Sequence, residues 1–267
     1  MKLSKVIPAF IAVTLIYSCA TVPLTGRRQL SLVGDSQINQ SAAASYSQLL
    51  SDPKTKVIAT GTDAQRVKRI GARLSAAIES YLQQNGYANQ YQFKWEFNLI
   101  ESKEINAWCM PGGKVAVYSG ILPVTLNDAG LATVMGHEIG HAIARHSAER
   151  MSQQMAAQAG GGIVGAAASG QSSTNQAIIN QLYGIGGQLT LLKYSRNQES
   201  EADKLGLTFM AMAGYDPNEA VAFWKRMAAQ SKGASQPEFL STHPADATRI
   251  AAIQAEVPNA MKYYKKQ

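Results

Sequence analysis

The sequence predicts an α+β domain, mostly helical, with a small β-sheet set against the helices. Three observations predict it. Apolar residues recur at helical spacing through most of the chain, as Val67, Ile70, Leu74, Ile78 and Leu82 do. A central stretch departs from that pattern: Phe93, Trp95 and Phe97 alternate, and two short apolar runs follow across the turn "PGG". A chain of 267 residues that is 46% hydrophobic and 16% charged suits one sizeable core and excludes a disordered protein. No internal repeat appears and no linker separates two cores, so residues 35–267 are expected to form a single domain.

The N-terminus stands outside that domain. Lys2 and Lys5 precede the apolar run "VIPAFIAVTLIYS", which ends at Cys19. Residues 1–18 read as a signal peptide, too short to span a membrane as a stable helix. Ser18 directly before Cys19, with Ile16 two residues earlier, resembles the lipobox of bacterial lipoproteins. The resemblance implies that Cys19 is the lipidated first residue of the mature chain and its attachment to a membrane. Ala20 is compatible with outer-membrane sorting, facing the periplasm. Residues 19–34 are expected to be an extended tether leading into a short strand. Lipidation of Cys19 leaves Cys109 without an intramolecular partner, and within "NAWCM" it reads as a small buried hydrophobe.

The net charge of +7 includes the two lysines of the leader. The remainder is mild, with a small cluster in "KYYKKQ" that reads as a solvated end or a rest on anionic headgroups. Basic residues form no stripe with interleaved aromatics, which argues against a nucleic-acid partner.

In order along the chain, "DSQINQSAAASYSQLL" reads as a helix, and "DAQRVKRIGARLSAAIESYLQQNG" as a second with Asp63 near its start and Gly86 past its end. "YQFKWEFNLI", "EINAWCM" and "KVAVYSGIL" read as strands. From Asn127 onward the pattern is helical, except near Gly160–Gly170. The small residues of 159–170 suit a mobile lid and a plain surface loop equally.

The chemistry lies in "VMGHEIGHAIARHSAER", which holds three of the four histidines. On a helix, residues four apart lie about 40° apart around the axis, so His137 and His141 face one way and can share one cation. Glu138 is rotated by about 100° from His137, beside the cation, where a base must stand to take a proton from water. His146, five residues after His141 on a continuous helix, points elsewhere. A third ligand must come from another segment, and "YSRNQESEADKLG" offers Glu199, Glu201 and Asp203. Asp203 lies one turn after Glu199 on the same face, where it can fix the tautomer of a ligating histidine.

"HEIGHAIARHSAER" followed by "SRNQESEADKLG" resembles the HtpX-, BepA- and LoiP-like zinc metallopeptidases, the family that includes the CAAX prenyl proteases. The family pattern E-x-x-A-D falls on Glu199, Ala202 and Asp203. The resemblance implies a zincin-type domain with its small sheet beside the active-site helix, one Zn2+ per chain, and Glu199 as the third ligand. "NAWCMPGGKVAVYSGIL" is similar to the family's strand beside that helix, which implies a strand at Gly113, Lys114, Val115 and Ala116 able to hold a peptide. "STHPADATRI" resembles the family's C-terminal His-Pro segment, which implies that His243 and Arg249 stabilise the oxyanion on the substrate carbonyl. A free imidazole there can also occupy the open position on zinc. The expected activity is zinc-dependent hydrolysis of internal peptide bonds, on unfolded or misassembled envelope proteins. The competing class is a chaperone-like or scaffolding lipoprotein that keeps zinc without cleaving.

Overall fold

A computed structural model describes residues 19–160, 194–230 and 237–265. The expected signal peptide, residues 1–18, and most of the Gly/Ala-rich segment, from residue 161 on, lie outside the described residues. The chain does not begin as the extended tether expected over 19–34. Strand β1 (Cys19–Thr21) pairs antiparallel with β2 (Arg28–Leu30), Cys19 opposite Leu30. Leu24 and Gly26 take φ of 71° and 68° to close this hairpin. Val22 and Val33 are buried in the body, and Arg27 reaches two carboxylates there. Those contacts favour docking over a free tether.

Helix α1 (Asp35–Ser51) buries Ile38, Ala42 and Tyr46, one residue per turn. After the short strand β3 (Val57–Ile58), helix α2 (Thr62–Gln84) buries the five apolar residues whose spacing announces it. Gly86, at φ 76°, ends it, and Tyr87 N–H turns back to Leu82 O at 2.8 Å.

Three strands follow: β4 (Glu96–Ile100), β5 (Ala107–Met110) and β6 (Lys114–Tyr118). The strand expected over 91–100 is regular only from Glu96. Tyr91, Phe93 and Trp95 before it still share a side with Phe97, as a stack with ring centroids 5.5, 4.4 and 5.9 Å apart. The sheet order is β3-β4-β6-β5, with β6 parallel to β4 and antiparallel to β5. This corrects the expectation for Gly113, Lys114, Val115 and Ala116. Lys114, Val115 and Ala116 pair with neighbours on both sides, and Gly113 O accepts Glu96 N–H at 2.9 Å, so that strand cannot take a peptide along its edge. Lys114 is itself buried and paired with Glu96. Among the described residues, the sheet's unpaired edge beside the active-site helix belongs to β5.

The rest of the described chain is helical: α3 (Leu122–Thr125), α4 (Asp128–Ile143), α5 (His146–Gly160), α6 (Arg196–Met212), α7 (Asn218–Gln230), α8 (Glu238–Thr242) and α9 (Ala247–Met261). The expected α+β class, mostly helical, is what is found. No helix among the described residues is long and apolar enough to cross a membrane.

Helix α4 is buried along almost its whole length, between β5 on one side and α6 on the other. Its contact with α6 is backbone against backbone. A Cβ on Gly206 would stand 2.8 Å from His137 N, and one on Gly140 would stand 2.8 Å from Ala202 O. Glycine at these positions lets the two helices approach closely enough to share one site.

Candidate metal centre

Each side chain of the site is placed by an identifiable local device. Helix α4 starts at Asn127, whose side chain accepts the Gly130 N–H at 2.8 Å. It then presents His137 and His141 one turn apart on the face turned to α6. Helix α6 starts in a capping box between Ser195 and Gln198, and so carries Glu199 in its first turn. His243 directly follows the short helix α8, its N–H bonded to Phe239 O at 2.8 Å.

Four donors from these elements converge: His137, His141, Glu199 and His243, all buried. His137 Nε2 lies 3.1 Å from His141 Nε2 and 3.2 Å from His243 Nδ1. Glu199 stands 3.5 Å from His137 Nε2, 3.4 Å from His141 Nε2 and 2.9 Å from His243 Nδ1. Donors bonded to one tetrahedral zinc at about 2.0–2.1 Å stand about 3.3–3.4 Å apart. Three imidazoles and a carboxylate at this spacing fit a single zinc ion.

Glu138 lies beside the donors, and its Oε1 is buried with no hydrogen-bond partner. His243 Nε2 stands 3.5 Å from it. Burial pushes the Glu138 carboxyl up to about 7, with His243 opposing the shift and Glu199 adding to it. A carboxylate in that condition takes a proton readily and releases it as readily.

Behind His137 stands Asp203, its Oδ1 2.9 Å from His137 Nδ1. Burial works against charge on both partners. It is outweighed at Asp203 chiefly by Arg249, and at His137 by Asp203 and Glu199. Arg249 does not face an open cleft. Its Nε and Nη2 each donate to Asp203 at 2.8 Å, its Nη1 stands 2.8 Å from Glu199 Oε2, and its guanidinium covers the Trp224 ring at 3.8 Å. Two buried carboxylates hold the guanidinium more strongly than a neutral carbonyl would. In this arrangement Arg249 braces Asp203 and Glu199 behind the donors.

Behind His141 the sequence reading missed its partner. Helix α4 ends at Ile143, and Arg145 takes a left-handed φ of 53°. A new helix begins at His146, which is thereby turned back so that its Nδ1 lies 2.8 Å from His141 Nδ1. His146 Nε2 is 3.0 Å from Glu201 Oε2. Glu201, left over once Glu199 is taken as ligand, thus belongs to the site's support. Cys109 takes no part: burial pushes its thiol up, away from the reactive thiolate.

The chain matches the family model described as Peptidase family M48 over residues 64–257. It is similar to the protein named mitochondrial metalloendopeptidase OMA1 of Schizosaccharomyces pombe, 33% identical over 90% of this chain and 66% of that one. The Saccharomyces cerevisiae protein of the same name is 37% identical over 64% of this chain and 50% of its own length. The beta-barrel assembly-enhancing protease of Escherichia coli K12 is 33% identical over 62% of this chain and 35% of its own length. The chain therefore spans between about a third and two thirds of these relatives.

Proposed function

The chain belongs to peptidase family M48, and on that premise we propose that it is a zinc-dependent endopeptidase. One observation carries the reading: four buried donors at the spacing of a single ion, with the unpaired carboxylate of Glu138 beside them. His137, His141 and Glu199 would hold the zinc. When bound, zinc would supply Lewis acidity at a peptide carbonyl and lower the pKa of water at the site to about 7. Glu138 Oε1 takes the proton of the attacking water and passes it to the departing nitrogen. Asp203 keeps His137 oriented, and Arg249 keeps Asp203 in place. The unpaired edge of β5, residues 107–110, is the strand along which an extended peptide lies, held by backbone hydrogen bonds with little sequence preference.

The substrates we propose are unfolded or misassembled proteins of the cell envelope. Support comes from relatives named beta-barrel assembly-enhancing protease and from the lipobox-like ending at Cys19. Other relatives are named mitochondrial, so the envelope placement leans on that N-terminal signal. Lipidation at Cys19 would hold the enzyme on the outer membrane, facing the periplasm.

His243 enters as a fourth donor, its Nδ1 3.2 Å from His137 Nε2. That position is the one water needs, so we propose that His243 closes the resting site. The test is zinc content and casein cleavage by the purified protein, with Glu138→Gln and His243→Ala alongside. The expected result is one zinc per chain and cleavage that falls about 10²–10⁴-fold in Glu138→Gln while zinc stays bound. His243→Ala is expected to cleave faster than the unmodified protein. A protein that binds no zinc would overturn the reading.

A further inference from the structure

We propose that the N-terminal hairpin belongs to the support of the metal site, with Arg27 and Glu201 acting through His146 as positioning residues for His141. The inference rests on the zinc reading above and extends it to residues outside the motif.

Hydrogen positions along the chain follow from donor counting. Glu201 Oε1 accepts from Thr25 Oγ1 at 2.5 Å, and Oε2 accepts from Arg27 Nε at 2.6 Å. An arginine only donates, so Glu201 acts as an acceptor throughout. His146 Nε2, 3.0 Å from Glu201 Oε2, must then carry the hydrogen and donate. In a neutral imidazole that leaves His146 Nδ1 with a lone pair. His141 Nδ1, 2.8 Å away, must in turn be the protonated nitrogen of its ring. The lone pair of His141 is thereby fixed on Nε2, the atom that faces Glu199 and His137. Three successive hydrogen bonds, through the two side chains of Glu201 and His146, carry the tautomer from the hairpin to a metal ligand.

Arg27 holds the outer end of this chain. Its guanidinium spans two carboxylates, with Nη1 and Nη2 on Glu149 at 2.7 and 3.0 Å and Nε on Glu201. Glu149 also accepts from Gln198 Nε2 at 2.8 Å, one residue before the ligand Glu199. The Arg27 side chain is partly exposed, while Glu149, Glu201 and His146 are buried. A buried pair of carboxylates needs such a fork, and a lysine cannot reach both with paired donors.

The test uses the full chain in detergent, with Arg27→Ala, Arg27→Lys and Glu201→Ala. Three quantities are read: zinc affinity by chelator competition, the visible spectrum of the cobalt(II)-substituted protein, and the unfolding midpoint without metal. Glu201→Ala and Arg27→Ala are expected to weaken zinc binding about 10–100-fold and to shift the cobalt spectrum. Combining them should add little to Glu201→Ala alone, because both act through one chain of contacts. Should Glu201→Ala fail to fold, Arg27→Lys carries the test, since it keeps the charge and loses the fork. Folded variants with unmodified zinc affinity and cobalt spectrum would overturn the proposal, even with a lowered midpoint, because the network would then only pin the hairpin. An unmodified protein that binds no zinc would overturn the reading of the site itself.

Discussion

The two histidines of helix α4 are held from behind in different ways. His137 backs directly onto a carboxylate, Asp203, which a buried arginine clamps. His141 backs onto a second imidazole, and a carboxylate appears only one step further out. The contrast follows from the helix itself. Residues four apart share a face but stand about 6 Å apart along the axis, so each meets a different part of the fold. His137 meets α6 and the C-terminal helix α9; His141 meets the start of α5 and, beyond it, the N-terminal hairpin. The electrical consequence is unequal. Despite burial, His137 is pushed up by Asp203 and Glu199, whereas burial drives His141 well down. A charge at direct contact and a charge relayed through a neutral ring do not tune a ligand equally.

The largest effect that tests this contrast should come from Asp203→Ala. It leaves Arg249 buried without the carboxylate that takes two of its hydrogen bonds. Breaking such a buried pair costs about 3–5 kcal/mol. Glu201→Ala leaves Arg27 still paired with Glu149 and, about one-third exposed at 32%, within reach of water. Urea unfolding of the metal-free variants should therefore rank Asp203→Ala well below Glu201→Ala. The reverse ranking would break the distinction between a direct and a relayed support.

The direct arm was legible in the sequence and the relayed arm was not. Glu199 and Asp203 sit at i and i+4 of one uninterrupted helix, so their common face can be counted off. His146 lies beyond a break that no glycine or proline marks, since Arg145 itself adopts the left-handed turn. Counting along a continuous helix therefore sends His146 to the wrong side. Arg27 and Glu201 meet across 174 residues, and no local pattern pairs them. The sheet shows the same limit. Alternation announces strands but not their neighbours, and β6 became interior because β4 crosses over to pair with it in parallel. A signal was available there: "KVAVY" buries four consecutive residues, as strands with both faces covered do. Helicity from Asn127 onward was legible because its spacing is local, and the break between Ile143 and His146 was not.

Both arms depend on how closely α4 and α6 approach. Gly206→Ala would set a methyl 2.8 Å from His137 N and 2.9 Å from Gly136 C, both backbone atoms. Overpacking of this kind costs about 1–3 kcal/mol. For a domain of this size the expected result is a fall of several degrees in Tm. Because the added atom presses on His137, the direct arm should suffer first. The cobalt(II) spectrum is expected to shift alongside the Tm, and a spectrum left unmoved would mean that the helices separate without disturbing the donors.

The smallest expected effect lies at the far end of α4. Asn127 accepts the Gly130 N–H with its side chain, and Asn127→Ala should cost about 1 kcal/mol through the lost cap. Asn127→Asp should recover most of it, since a carboxylate accepts the same hydrogen bond and suits a helix N-terminus. The cap lies ten residues before His137, and the helix between them is buried throughout from Gly130. If the two arms set the positions of the histidines, fraying the first turn lowers the urea midpoint and leaves zinc affinity unmoved. A parallel loss of zinc affinity in Asn127→Ala would mean that the helix as a whole, and not the supports behind each ring, fixes the site.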